Sequence, residues 1–157
     1  MRAPEPLSAA HDSATFDCGE PSLNEWLKRR ALANQGAGAS RTYVVADNRV
    51  RVVGYFALAA GAVSHVQASG AIRRNMPEPI PVLVLARLAV DRSQQGRAPG
   101  AALLRDAVLR TLAVAGEIGV RALLAHAVND AAKAFYLRHG FAESPADPLA
   151  VMLRLPR

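Results

Sequence analysis

Eleven consecutive residues, "IPVLVLARLAV" from Ile80 to Val90, carry a single charge. A strand with one wet face alternates apolar and polar side chains. This run does not, so it reads as a strand buried on both faces. From Pro79 onward the run is too short and too interrupted to cross a bilayer. The chain leaves it through "DRSQQGRAPGAALLRDA", Asp91 to Ala107, passing Gly96, Arg97, Pro99 and Gly100 into an alanine- and leucine-rich helix.

The spacing elsewhere predicts the covering layers. A helix is expected from about Pro21 to Asn34, with Pro21 at the first helical position and Ser22 and Glu25 at capping-box spacing. Leu23, Trp26, Leu27 and Ala31 share one of its faces. "GAGAS", Gly36 to Ser40, is a loop. "RTYVVAD" and "RVVGYFALAAGAV" are strands around a turn at Asp47 and Asn48. "GAIRRNMPEP", Gly70 to Pro79, is a polar loop. A helix from Pro99 to Ala115 sets Ala101, Leu104, Val108 and Leu112 on one stripe. "RALLAHAV" is a second buried strand. Asp130 to His139 is a short helix stopped by Gly140. Phe141–Ala142 and Leu149–Leu155 finish the chain as strands. The order fits an α/β fold in which helices cover one mixed sheet. With no repeats and no linker, residues 1–157 read as a single domain.

Composition narrows the class. Hydrophobic residues make up 51% and charged residues 20%, which excludes a disordered chain. Cys18 is the only cysteine, so no intrachain disulfide can form, which fits a reducing compartment. "MRAPEPLSAAHDS" lacks the apolar core of a signal peptide, so a cytoplasmic location is expected, with no membrane partner and no metal. The net charge of +6 and pI of 10.4 suit a polyanionic partner, and equally a basic protein without one.

The loop after Val90 can hold an anion. A strand that feeds a helix N-terminus presents unpaired backbone N–H groups and the positive end of the helix dipole. Gly96 and Gly100 permit close approach, Arg97 adds a cationic fork, and Pro99 loses no needed donor near a helix start. A nucleotide-hydrolase phosphate loop would need Gly-Lys-Ser/Thr, but Ala101 and Ala102 follow Gly100. The glycine spacing is also wrong for a dinucleotide fold. A simple turn and a phosphate cradle both remain open on the loop alone.

"RAPGAA" fits the pattern Q/R-x-x-G-x-G/A, which resembles the acetyl-CoA pyrophosphate loop of the GNAT N-acetyltransferases. It follows "LARLAVD" and precedes "ALLRDAVLR", "RALLAHAV" and "NDAAKAFYLRHGF". The resemblance extends from "FDCGEPSLNEWL" to "LAVMLRLP". "F-x-C-G", "VLVLARLAVD" and "FYLRHGF" look most like the acetyltransferase toxins of bacterial toxin–antitoxin pairs. Those acetylate the α-amino group of aminoacyl-tRNA and stop translation. The resemblance implies a GNAT fold with splayed middle strands, acetyl-CoA as cosubstrate, a ribbon-helix-helix antitoxin with operator DNA bound through it, and a homodimer. It also implies that backbone groups of Leu88, Ala89 and Val90 pair with the pantetheine. Backbone N–H groups of Gln95, Gly96, Arg97, Ala98, Gly100, Ala101 and Ala102 would hold the pyrophosphate, and Asn129 would lie near the pantetheine. Pro99 stands where glycine or leucine is more usual; it removes one donor and stiffens the loop.

Acetyl transfer to an amine needs a neutral amine, a stabilised oxyanion and a protonated leaving thiolate. Read alone, Tyr136 fits a packing residue near a helix end. With the family it becomes the general acid that protonates the coenzyme A sulfur, with a backbone N–H near Val90 as oxyanion donor. No clear general base stands out among His126, His139 and Glu143. None is required for an α-amino group, whose ordinary pKa of about 7.7–8.0 leaves a neutral fraction, whereas a lysine at about 10.4 would need one. Cys18 reads as a packing thiol.

Basic residues come in small groups: Lys28, Arg29 and Arg30; Arg41; Arg73 and Arg74; Arg87; Lys133 and Arg138. On one face they would form a tRNA groove, for which Arg73, Arg74, Arg87, Lys133 and Arg138 are the candidates. Arg110 and Arg121 read as solvated charges. Few aromatics are available to stack on bases, so the acceptor stem would be read through its backbone, with "ALAAGAV", Ala57 to Val63, lining the amino-acid pocket. The rival readings are a GNAT enzyme acting on a small-molecule amine or a protein, and an inactive acetyl-CoA-binding module.

Overall fold

The structure, a computed structural model, describes residues 3–48, 50–95 and 99–156. Its elements are β1 (Glu5–Pro6), α1 (Pro21–Arg29), α2 (Ala31–Gly36), β2 (Arg41–Ala46), β3 (Val52–Val63), α3 (Gly70–Arg73), β4 (Ile80–Val90), α4 (Pro99–Ala115), β5 (Ala122–His126), α5 (Asp130–Arg138), β6 (Ala142–Glu143) and β7 (Ala150–Arg154). The strands make a seven-stranded mixed sheet in the order β1-β2-β3-β4-β5-β7-β6. The expected α/β class with a mixed sheet therefore holds. The chain divides into two compact units, Met1–Ala59 with Ala86–Val108, and Ala60–Leu85 with Leu109–Arg157.

In the first unit, β2 and β3 form an antiparallel hairpin with Tyr43 opposite Phe56 and a bulge between Val45 and Ala46. Leu23 and Leu27 from α1, Ala31 from α2, and Phe16, Val44 and Tyr55 share one core. Leu103 of α4 sits over Gly54: a Cβ there would lie 3.1 Å from Leu103 Cδ1, so the missing side chain sets how closely α4 approaches β3.

In the second unit, β4 and β5 run parallel from Val82–Ala122 to Leu85–Ala125. β5 continues antiparallel to β7, with His126 opposite Ala150. Ile72, Ile80, Val82, Leu124 and Met152 belong to its core. Gly61 is needed there, since a Cβ would lie 2.6 Å from Val84 Cγ2.

Several expectations shift. The first helix breaks at Arg30, where ψ is −32° but φ is −120°. No proline or glycine marks the break, so the apolar period runs straight through it. The capping box at Ser22 and Glu25 does not form: the helix begins after Glu20 without a side-chain cap, and Glu25 pairs instead with Arg29. The polar loop after Gly70 holds α3. The buried stripe of α4 is Leu103, Leu104, Ala107 and Thr111, rotated from the expected one.

Candidate active site

The first unit carries the end of β4. The ladder with β5 stops at Leu85, whereas β4 runs five residues further, so residues 86–90 lie past the β4–β5 register. A strand edge left free beside a buried face can pair with the amides of an extended ligand. Leu88, Ala89 and Val90 occupy this stretch. Beyond it α4 starts at Pro99 and runs for 17 residues, so the N–H groups of Gly100, Ala101 and Ala102 lie in its first turn, where the helix itself cannot claim them. Pro99 costs nothing at this position. The end of β4 and the helix start together suit a ligand with amides and a pyrophosphate. Gly96, Arg97 and Ala98, expected at the pyrophosphate, lie outside the described residues.

The beginning of the loop is tied down by a distant segment. Asp91 accepts from Asp17 N at 2.8 Å, Ser93 N at 3.0 Å and Ser93 Oγ at 2.6 Å. Burial pushes the Asp91 carboxyl up, but these donors outweigh it and hold the group below the ordinary carboxylate range. Arg92 N donates to Asp17 O at 2.8 Å. The Gln95 amide donates to both Cys18 O and Val90 O at 3.0 Å. Asp17 in turn accepts from Gly19 N and Asn24 Nδ2, which hold its carboxyl low. Thus "FDCG" fastens the exit of β4. Sequence reasoning missed this role: Asp91 two residues before Ser93 is a readable side-chain turn, but the Asp17 contact spans 74 residues. Cys18 is half-buried, and burial raises its thiol pKa, so it is a packing residue and a poor nucleophile.

Arg87 lies on the same strand. Its guanidinium sits over the Trp26 ring, 5.1 Å from the centroid, and Nη1 donates to Ala86 O at 2.8 Å. Trp26 stacks in turn on Tyr55 at 6.0 Å and 9°. The buried Tyr55 hydroxyl donates to Leu23 O at 2.7 Å.

The second unit carries α5. Asn129 caps it, its Oδ1 accepting from Ala132 N at 2.8 Å. Tyr136 is buried against Phe135 and Phe141. Burial pushes its phenol up to about 12, so it keeps its proton throughout the neutral range. Among the described residues its hydroxyl has no hydrogen-bond partner. The candidates for a base are committed or open to solvent. Glu143 pairs with Lys133. His139 Nδ1 donates to Phe135 O at 2.8 Å. His126 is exposed.

The tRNA candidates have different surroundings. Arg73, Arg74 and Arg138 are exposed, whereas the charge of Lys133 is met by Glu143. Arg121, expected as a solvated charge, is 7% exposed and donates to Ile72 O and Ala71 O at 3.0 Å, tying down α3. It is a structural fork, because the short α3 leaves carbonyls that need donors.

Comparison with known proteins shows the family. Residues 39–143 match the model of the acetyltransferase (GNAT) domain. The chain is 52% identical over 151 residues to a tRNA-acetylating toxin of Mycobacterium tuberculosis, covering 96% of this chain and 90% of that one. It is similar to the structure of AtaT complexed with acetyl-methionyl-tRNAfMet, with TM-score 0.90, 28% identity and coverage of 97% and 94%. It is also similar to a mutant AtaT toxin bound to the C-terminus of the antitoxin AtaR and acetyl-CoA, with TM-score 0.83, 28% identity and coverage of 97% and 92%. The chain belongs to the GNAT acetyltransferase family.

Proposed function

We propose that this protein is a toxin that transfers acetyl from acetyl-CoA to the α-amino group of aminoacyl-tRNA and so blocks translation. The 52% identity to a tRNA-acetylating toxin along nearly the whole chain carries this reading. The 157 residues act as one catalytic domain. A ribbon-helix-helix antitoxin neutralises it and takes it to operator DNA, and the active form is a homodimer. No helix among the described residues is long and apolar enough to cross a membrane, and action on tRNA places the protein in the cytoplasm.

Acetyl-CoA supplies the thioester. Main-chain groups of Leu88, Ala89 and Val90 hold the pantetheine, with Asn129 near it. The N–H groups of Gln95, Gly96, Arg97, Ala98, Gly100, Ala101 and Ala102 hold the pyrophosphate, and a backbone N–H near Val90 stabilises the oxyanion. Tyr136 gives its proton to the departing sulfur and regains one from the nitrogen that has been acylated. No group of the chain need act as base where the acceptor arrives neutral. An α-amine does so at physiological pH and a lysine does not.

The test is transfer of labelled acetyl from acetyl-CoA to total charged tRNA, with deacylated tRNA and a lysine peptide in parallel. Label on charged tRNA alone, lost on mild alkaline deacylation, is the expected result. Label on the peptide, or none on tRNA while acetyl-CoA still binds, would overturn the substrate assignment.

A further inference from the structure

Arg87 is a half-buried cation. Among the described residues no acidic side chain pairs with it. Its surroundings fix it all the same. The Trp26 face lies 5.1 Å below its guanidinium, and the Ala86 carbonyl takes one Nη1 proton. A guanidinium has five N–H donors, so most of its fork remains to be used. A cation taken partly out of water and spent on neither an acid nor several carbonyls is poised for an anion from outside.

Trp26 is more than a wall. One of its faces carries Arg87 and it stacks on Tyr55, 6.0 Å away. Tyr55 is fully buried, anchored by its bond to Leu23 O, and met edge-on by Phe16 at 5.5 Å and 68°. The column Phe16–Tyr55–Trp26–Arg87 thus runs from the core to a charged tip. Arg87 also immediately precedes the Leu88–Val90 stretch assigned to the acyl donor. The acceptor amine must come to the same reacting carbonyl, so the anion nearest Arg87 should be one that travels with the acceptor.

We infer that Trp26 is a positioning residue that presents Arg87 as a rigid clamp for a backbone phosphate at the acceptor end of the tRNA. This rests on the aminoacyl-tRNA reading above. A cation fixed before binding loses little side-chain freedom when it pairs, which favours one geometry for the phosphate.

The experiment uses the full chain and variants Arg87→Gln, Trp26→Leu, Trp26→Phe, and Arg87→Gln with Trp26→Leu. Leucine keeps apolar bulk but lacks the negative ring face. Binding of bulk deacylated tRNA is measured across a salt series, and binding of acetyl-CoA by calorimetry. Arg87→Gln is expected to weaken tRNA binding roughly tenfold and to lower the slope of log K against log salt by about one. Trp26→Leu should weaken it to a similar degree, with the double variant no worse than Arg87→Gln alone, because Trp26 acts through Arg87. Trp26→Phe should recover most of the loss, and acetyl-CoA affinity should stay unchanged in all four. Additive losses, an unchanged salt slope in Arg87→Gln, or a parallel fall in acetyl-CoA affinity would overturn the inference. If Trp26→Leu fails to fold, Arg87→Gln and Trp26→Phe decide it. Wild-type protein that binds tRNA while the variants match it sinks the clamp alone; wild-type protein with no affinity for tRNA sinks the substrate reading itself.

Discussion

Tyr136→Phe should separate chemistry from packing. The ring is 6% exposed, with centroids 5.4 Å from Phe135 and 5.3 Å from Phe141. Phenylalanine keeps both contacts. The hydroxyl has no partner among the described residues, so its loss leaves no group stranded. Stability at pH 7.5 should change by less than about 1 kcal/mol. Transfer should fall by about 10²–10⁴, the usual contribution of a general acid. At about 1.4 kcal/mol per tenfold, this is roughly 3–5 kcal/mol on the barrier. A second signature comes from alkali. Burial pushes the phenol up to about 12 in the folded chain, against about 10 unfolded, so the native state binds its proton more tightly. That stabilisation is complete below pH ~10 and is lost as pH rises toward 12, about 2–3 kcal/mol in all. The phenylalanine variant lacks this loss, while Tyr55, whose phenol burial also raises, contributes to both proteins. Single-turnover transfer to charged tRNA and urea melts at pH 7.5 and 11 read these terms separately. Wild-type transfer by the variant would refute the acid role. Lost transfer accompanied by a destabilisation well beyond about 1 kcal/mol at pH 7.5 would show that the hydroxyl is structural.

Three further outcomes are expected. Arg73→Glu with Arg74→Glu, both exposed at the end of α3, should weaken tRNA binding at least tenfold at low salt and leave acetyl-CoA binding unchanged in a parallel titration. Asp91→Asn puts an amide where three donors converge; it should cost about 1–3 kcal/mol and raise the KM for acetyl-CoA more than it lowers kcat. Because the Asp91 carboxyl is held low, the wild-type advantage is present above the ordinary pKa of about 4 and vanishes as acid titrates it, which denaturant melts from pH 3 to 7 would follow. Gly61→Ala drives a Cβ to 2.6 Å from Val84 Cγ2; it should cost about 1–3 kcal/mol, and Val84→Ala in the same chain should restore part of the loss in the melting temperature.

What the sequence discloses is what is local. The apolar run predicts β4 to the residue, Ile80 to Val90, because burial leaves a single polar position, Arg87, in eleven residues. Pro21 and Gly140 mark a helix start and stop, Gly140 at φ +94°, because each residue type has one conformational use there. The two-residue strands β1 and β6 are not legible in the same way: two residues carry no period, and only a partner strand makes them strands. The α4 stripe rotates for a related reason. Alanines are apolar on every side of that helix, so the period cannot say which side the sheet takes.

The site shows the same divide at the level of charge. Arg73, Arg87, Arg121 and Lys133 are equivalent as letters, and each adds one to the net charge of +6. Folding gives them four fates. Arg121 is spent on the α3 carbonyls, and Lys133 is answered by Glu143. Arg87 is mounted on an aromatic column, and Arg73 stands in solvent. Net charge therefore overstates the surface available to a polyanion, since a buried or paired cation contributes little to the field a phosphate meets. The same reasoning sharpens the choice of acceptor. Pairing Glu143 with Lys133 offsets one cation of the candidate groove and engages one candidate base in a single contact. The proposed function fits these fates: a few placed arginines would meet a polyanion, and a substrate that brings its own neutral amine, as an aminoacyl ester on tRNA does, would ask for no base.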